Sequence, residues 1–509
     1  MTAIEESLAA STLPSERVAP TILSRVLTTF DLIAIMIGVV LFISNAPIMT
    51  GAGPSAYVYW GLGFLTFLIP GALVTGQLGR MFPGEGSIYL WTHKALGPFP
   101  GFFAGFCAWF PGVLGLVATG DGALALLQQL VPQALTAPWQ QGIAILAIIA
   151  FSCVLSILRF RVTQTIINVV FVCYASAILL VGIGGLFALL HGHATPVDYT
   201  PRNFLPNPST FTFYGTVILA LLGIEVPLNM GVEVKEERAV TRYLVWGSLF
   251  VMLAYLIGTF GVMTAVPLSD QGNPAAVSEA IALGIGGPLG KVLGSASTII
   301  FLSFFIFTTA VFNYAFARLL FVSGLDRRLP AVVSKVNKNR VPAVAVLVQS
   351  MLAGLVTVGI FILAPLTLKL LTPANLATVI YDVIQAALTV IWCISMATLF
   401  IDVVLIRRKY REHFARMQLA PDWVFTLCIV LGVLASTVGM VVTFTNPWTN
   451  LLSRQQWDLG IGGLALLALL VGAGIYWPGR KEQPRHQVEI PAETPSPEGG
   501  EPLPAEEER

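Results

Sequence analysis

Charge is scarce in this chain: of 509 residues, 28 are Lys or Arg and 27 are Asp or Glu, 11% in all, where a soluble domain carries about 25%. That is too little polar surface for a water-soluble globule, and a net charge of +1 offers no basic field for nucleic acid. The five cysteines, Cys107, Cys153, Cys173, Cys393 and Cys428, lie in apolar runs without CxxC spacing. Free thiols and no metal site are expected. The five histidines form no ligand or proton-relay pair; His191 and His193 share one loop and the others are scattered. A phosphate-binding loop, paired metal ligands and nucleophile–base spacing are all missing, so neither an enzyme nor a cofactor is expected.

What is present is apolar: 56% of residues are hydrophobic and the mean hydropathy is +0.80. The composition describes a polytopic membrane protein whose constant partner is lipid. Twelve apolar stretches can be counted, roughly 29–49, 57–78, 100–130, 139–158, 164–190, 211–234, 242–266, 289–323, 342–364, 374–406, 422–444 and 457–477, and about 20 apolar residues suffice to cross a bilayer. With both termini in the cytoplasm, only Arg202, Lys291, Lys369 and Arg454 of the 28 basic residues fall outside, the asymmetry of the positive-inside rule. The basic runs 327–340 and 407–416 then read as topology determinants near lipid headgroups. Residues 1–27 are polar and carry Pro14 and Pro20, unlike a cleavable signal peptide. A retained, loosely ordered cytoplasmic segment is expected there. The Pro- and Glu-rich tail 478–509 is expected to be disordered.

Two stretches are not passive spans. Phe211 to Val234 contains Gly223, Glu225, Pro227 and Asn229. Pro227 has no N–H for the Gly223 carbonyl, and broken backbone at membrane depth is tolerated only in a protein interior or beside a wet cavity. An ionisable Glu225 adds about 2.5–3.5 kcal/mol on insertion scales. The first stretch is interrupted too, by Gly38 and by Ser44-Asn45-Ala46-Pro47. At 1.5 Å per residue Gly38 lies about 15 Å into the membrane, and Gly223 about 18 Å from the other side. Breaks in spans one and six, each opening a block of five, are the signature of an inverted repeat, with helix N-termini exposed at the midplane. Residues 28–190 and 191–406 would form the two repeats, and 407–477 two accessory helices. The loop 80–91 carries Tyr89 and Trp91, expected as interfacial anchors.

The motifs resemble the amino acid, polyamine and organocation transporters, especially the bacterial glutamate/GABA-antiporter-like permeases. Pro83-Gly84-Glu85-Gly86-Ser87-Ile88-Tyr89 is similar to the family's loop after span two, with Glu85-Gly86 in place of Gly-Gly. Gly223-Ile224-Glu225 resembles its span-six triplet. Ala317-Arg318 through Leu329-Pro330 and Val336 to Pro342 are similar to its segments around spans eight and nine. The resemblance implies an all-α polytopic membrane protein of twelve transmembrane helices, a 5+5 inverted repeat of the leucine-transporter type. It implies a plasma-membrane permease for a small-molecule substrate, an amino acid or related amine, with a binding set at Ile37, Gly38, Val39, Val40, Leu219, Gly223, Ile224 and Glu225. Gly38-Val39-Val40 replaces the usual Gly-Ser-Gly, and Leu219 stands where some members carry an aromatic lid. Dimerisation is left open.

Several acids and hydroxyls are candidates for the mechanism, each with a plainer reading beside it. Glu225 is either a coupling group or a hydrogen-bonded strut. Asp121, in span three, either meets a substrate amine, pairs with another polar group, or faces an outer vestibule. Asp382, near Tyr381 and Gln385, invites the same readings. Thr309 and Asn313 share a face of span eight and either complete a sodium site or tie helices together. Asp31 reads as a helix-start group. A secondary transporter explains both breaks with one cause; a non-transporting sensor on the same scaffold is the alternative, and an ion channel ranks below both.

Overall fold

The computed structural model describes residues 12–273, 275–367, 373–448 and 451–479. Residues 1–11 and nearly all of the expected tail lie outside the described residues. Among the described residues, strand pairing is limited to two isolated bridges, Leu27 with Val234 and Glu85 with Met230. Eleven helices are long and apolar enough to cross a membrane, so the chain is an all-α polytopic membrane protein.

A short α1 (Pro14–Ile22) precedes the first apolar stretch, which is divided into α2 (Thr29–Val40) and α3 (Asn45–Thr50). Then come α4 (Ser55–Met81), the short α5 (Ser87–Leu96), α6 (Pro98–Leu130), α7 (Pro138–Ile157) and α8 (Phe160–Leu190). The sixth stretch opens with α9 (Thr212–Leu221). It is followed by α10 (Glu237–Ala265), α11 (Ala276–Ile285), α12 (Gly287–Leu325), α13 (Ala343–Thr367), α14 (Pro373–Lys409), α15 (Asp422–Thr445) and α16 (Arg454–Gly479).

Helix α12 is the axis of the packing. Its Phe305, Phe312 and Phe316 rings lie on Gly122, Gly115 and Gly112 of α6, where any Cβ would strike them. Small residues let helices approach closely where lipid offers no hydrophobic drive to associate. Outward positions such as Val169, Val172 and Leu179 on α8 and Leu466, Leu467 and Leu470 on α16 remain exposed, as a lipid-facing surface requires.

Residues 12–27, the 81–97 loop, 229–237, 326–342 and 407–420 gather at one end of the bundle, the end that carries the basic runs. Contrary to the loose N-terminal segment expected, α1 is docked there. Ser15 donates its N–H to Asp326 Oδ1 (2.8 Å) and its hydroxyl to Oδ2 (3.0 Å), while the Val26 and Leu27 amides donate to the Glu233 carbonyl at 2.9 Å. Tyr89 and Trp91 are not interfacial anchors either. Both are fully buried; Tyr89 donates to Asp326 Oδ2 (2.8 Å) and Trp91 Nε1 to the Phe82 carbonyl (3.3 Å).

Candidate functional site

The break in the sixth stretch falls where Gly223 requires it. Helix α9 stops at Leu221, Leu222 is extended, and Gly223 takes φ +106°, a backbone conformation that only glycine adopts without strain. A side chain there would also strike Val39 and the Trp392 ring. The chain resumes as a 3-10 turn over Val226–Asn229. The Gly223 carbonyl that Pro227 cannot satisfy is not left free, because the Val226 N–H donates to it at 3.1 Å.

The break in the first stretch is not at Gly38. Helix α2 runs through Gly38 to Val40, and the interruption covers Leu41 to Ser44. Gly38 instead packs against Val311 and Thr308 of α12. What opens the helix is a pair of tyrosines. Tyr174 of α8 donates to the Leu41 carbonyl (2.8 Å) and accepts the Ile43 N–H (3.0 Å), replacing across the gap a bond that the helix would have made. Tyr255 of α10 places its hydroxyl 2.8 Å from the Val40 carbonyl and 3.2 Å from that of Ala220, one donor standing between the last turns of both broken helices. The two breaks therefore meet, with Val39 against Gly223 and Tyr255 joining them.

Beside this junction lies a cavity of about 400 Å³. Val39, Leu219 and Asp121 line it, together with Ser44 and Asn45 of the first break, Phe42, Phe305, Phe312 and Trp392. Tyr381, Asp382 and Trp448 extend it toward the end opposite the basic runs. The amides of Ser44, Gly223 and Ile224 find no acceptor among the described residues. Glu225 is buried behind Trp392, whose Nε1 donates to Glu225 Oε1 (3.1 Å); Oε2 has no partner. The remaining candidates, Ile37, Gly38 and Val40 in α2 and Gly223, Ile224 and Glu225 in the second break, are buried and do not line the cavity. The Ile224 carbonyl accepts from Tyr243 (3.3 Å).

The plainer readings hold elsewhere. Thr309 meets Thr119 of α6 (2.9 Å), and Asn313 donates to Ser350 (2.8 Å) and Ser152 (3.3 Å), so both tie α12 to its neighbours. Asp31 caps α2 with Thr28 and pairs with Arg161 (2.9 Å).

At the basic end a buried ion cluster lies across the chain leaving the sixth stretch. Arg318 of α12, fully buried, places Nε 3.2 Å from Glu85 Oε1 and Nη2 2.6 Å from Glu233 Oε1. Glu85 also accepts the Val232 N–H (3.2 Å), and the Gly86 N–H donates to the Asn229 carbonyl (2.9 Å). Burial and the neighbouring Glu233 charge push the Glu85 carboxyl upward, against the pull of Arg318. Sequence reading had placed Glu85 and Arg318 in separate motifs and did not pair them.

With this geometry established, comparison with known proteins is decisive. A model of the amino acid permease family matches residues 23–479. The chain belongs to that family. Among its relatives, an uncharacterised transporter of Legionella pneumophila is 23% identical over 83% of this permease and 90% of its own length. The aromatic amino acid transport protein of Corynebacterium glutamicum is 24% identical over 79% and 86%. A probable agmatine/putrescine antiporter of Lactococcus lactis is 24% identical over 51% of this permease and 56% of its own length. The family's members are transporters rather than enzymes, with a small molecule as substrate and a membrane as setting.

Proposed function

We propose that this permease is a secondary active transporter for amino acids or related amines, working by alternating access around its paired breaks. The observation that carries the reading is the junction of Val39, Gly223 and Tyr255 beside a large cavity, since interrupted helices at membrane depth need a wet or ligand-filled space. Of the unpaired amides, that of Ser44 lies on the cavity wall and suits a substrate carboxylate, while those of Gly223 and Ile224 lie in the adjoining second break. Arg318, Glu85 and Glu233 act as the closure on the basic side, which the positive-inside rule makes cytoplasmic, with both termini there, in the plasma membrane. The twelve-span, two-repeat architecture follows if α2 and α3 count together as the first span. Glu225 is the group proposed to couple transport to protons, exchange being the other mode.

The test is counterflow in proteoliposomes. Saturable exchange of labelled amino acids or amines against an internal pool is expected; saturable binding without flux for any substrate would return the protein to the sensor reading.

A further inference from the structure

The size of the cavity and the two breaks beside it mark a ligand site, and the charge of its wall narrows the ligand. Asp121 of α6 and Asp382 of α14 both line it, and among the described residues no Lys, Arg or His does. Neither carboxylate has a hydrogen-bond or ion-pair partner among the described residues, and both border the same cavity. Glu225, with its buried and unpartnered Oε2, lies behind Trp392. Trp392 is ten residues along α14 from Asp382, about 15 Å at the helical rise. Two neighbouring carboxylates without a cation oppose each other's ionisation, so the fold does not keep them for its own stability. A bound cation would complete them. Between the acid pair and the breaks the wall is aromatic, with Phe42, Phe305, Phe312 and Trp392, a surface suited to an alkyl chain and attractive to a cation at ring faces.

We infer that the substrate carries a cationic distal end, an ammonium or guanidinium group taken up by Asp121 and Asp382 and joined by an aliphatic chain to the head group docked at the breaks. Amino acids with basic side chains fit; substrates ending in a second carboxylate do not. The inference rests on the reading of the cavity as the substrate site.

Equilibrium binding to the purified full-length protein tests it, with arginine against citrulline and lysine against norleucine as matched probes. The charged member of each pair is expected to bind about tenfold tighter or better. Asp121→Asn and Asp382→Asn should each weaken arginine about tenfold more than citrulline, and Asp121→Glu should recover part of the preference. Equal affinity within both pairs for the unaltered protein would overturn the inference, as would equal losses for arginine and citrulline in the variants. Should the variants fail to fold, the two ratios for the unaltered protein decide alone. Flux keeps the two readings apart. Cation-selective binding without transport retires the transporter and leaves this inference standing, whereas transport without preference for the charged probes does the reverse.

Discussion

At the basic end, Glu85 and Glu233 converge on one fully buried arginine, so that three of the elements gathered there, the 81–97 loop, the end of the sixth stretch and α12, are joined in one cluster. In the cavity, Asp121 and Asp382 have no hydrogen-bond or ion-pair partner among the described residues. Both pairs bring like charges together inside a membrane protein, where an ionisable group is expensive wherever it lies. The difference is that one pair is internally compensated and the other is not. Compensated charge holds a conformation together; uncompensated charge at a cavity wall is suited to recognising a cation. The same molecule thus separates a structural use of buried acids from a recognition use, and substitution can set the two against each other.

The largest expected effect is at Arg318. Arg318→Met leaves two buried carboxylates without their cation, and breaking a buried pair in this way costs about 3–5 kcal/mol. Thermal unfolding in detergent should show the loss, and Glu85→Gln combined with Glu233→Gln should restore most of it. By contrast, Asp121→Asn and Asp382→Asn remove no hydrogen bond or ion pair among the described residues and should stay within about 0.5 kcal/mol of the parent stability. A large loss at either aspartate would mean that the cavity pair is structural after all.

Next in size is the link between the breaks. Tyr255→Phe removes the hydroxyl from the Val40 and Ala220 carbonyls, and Tyr174→Phe removes both the donor to Leu41 and the acceptor for Ile43. Each should cost about 1–3 kcal/mol, the range for a buried polar group left unmatched. Counterflow should fall more in Tyr255→Phe, because only that residue joins both helices. Equal flux in the two variants would show that the joint between the breaks is not part of the working cycle.

How much of this was legible beforehand depends on distance along the chain. Gly223 and Pro227 announce their break locally, because a glycine and a proline in an apolar run have no other easy explanation. Of the two interruptions the sequence offers in the first stretch, Gly38 lies several residues too early, while Ser44 closes the observed one. Gly38 is a real local signal, but for the close approach of α12; the residues that open α2 are Tyr174 and Tyr255, on helices whose nearness no local pattern shows. The same holds for Arg318, whose partners Glu85 and Glu233 are supplied by two other segments. Asp121 and Asp382 were visible as costly acids, yet only folding puts them on one wall.

A smaller effect concerns Glu225. Its Oε1 accepts from Trp392 while Oε2 has no partner, so Glu225→Gln can keep the one bond and should shift stability by no more than about 0.5 kcal/mol. If Glu225 couples transport, the variant should still exchange substrate while its flux loses its dependence on pH. A loss of about 1–3 kcal/mol with an unchanged pH profile would make Glu225 a strut.

The smallest effect is a slope. Glu85 is raised above its ordinary value of 4.5 by burial first and by the Glu233 charge second, with Arg318 opposing. A raised carboxyl keeps in the folded state a proton that the unfolded chain has already released, so its contribution is complete below 4.5 and is lost as pH rises through the raised value. Stability of the parent should therefore decline from pH 4.5 upward. In Glu85→Gln that proton is gone and Glu233, itself raised by burial, has Arg318 to itself, so the decline should be shallower. Unfolding temperatures measured across this range for both proteins would show it, and parallel curves would mean that the cluster holds its charge unchanged from the unfolded chain to the folded one.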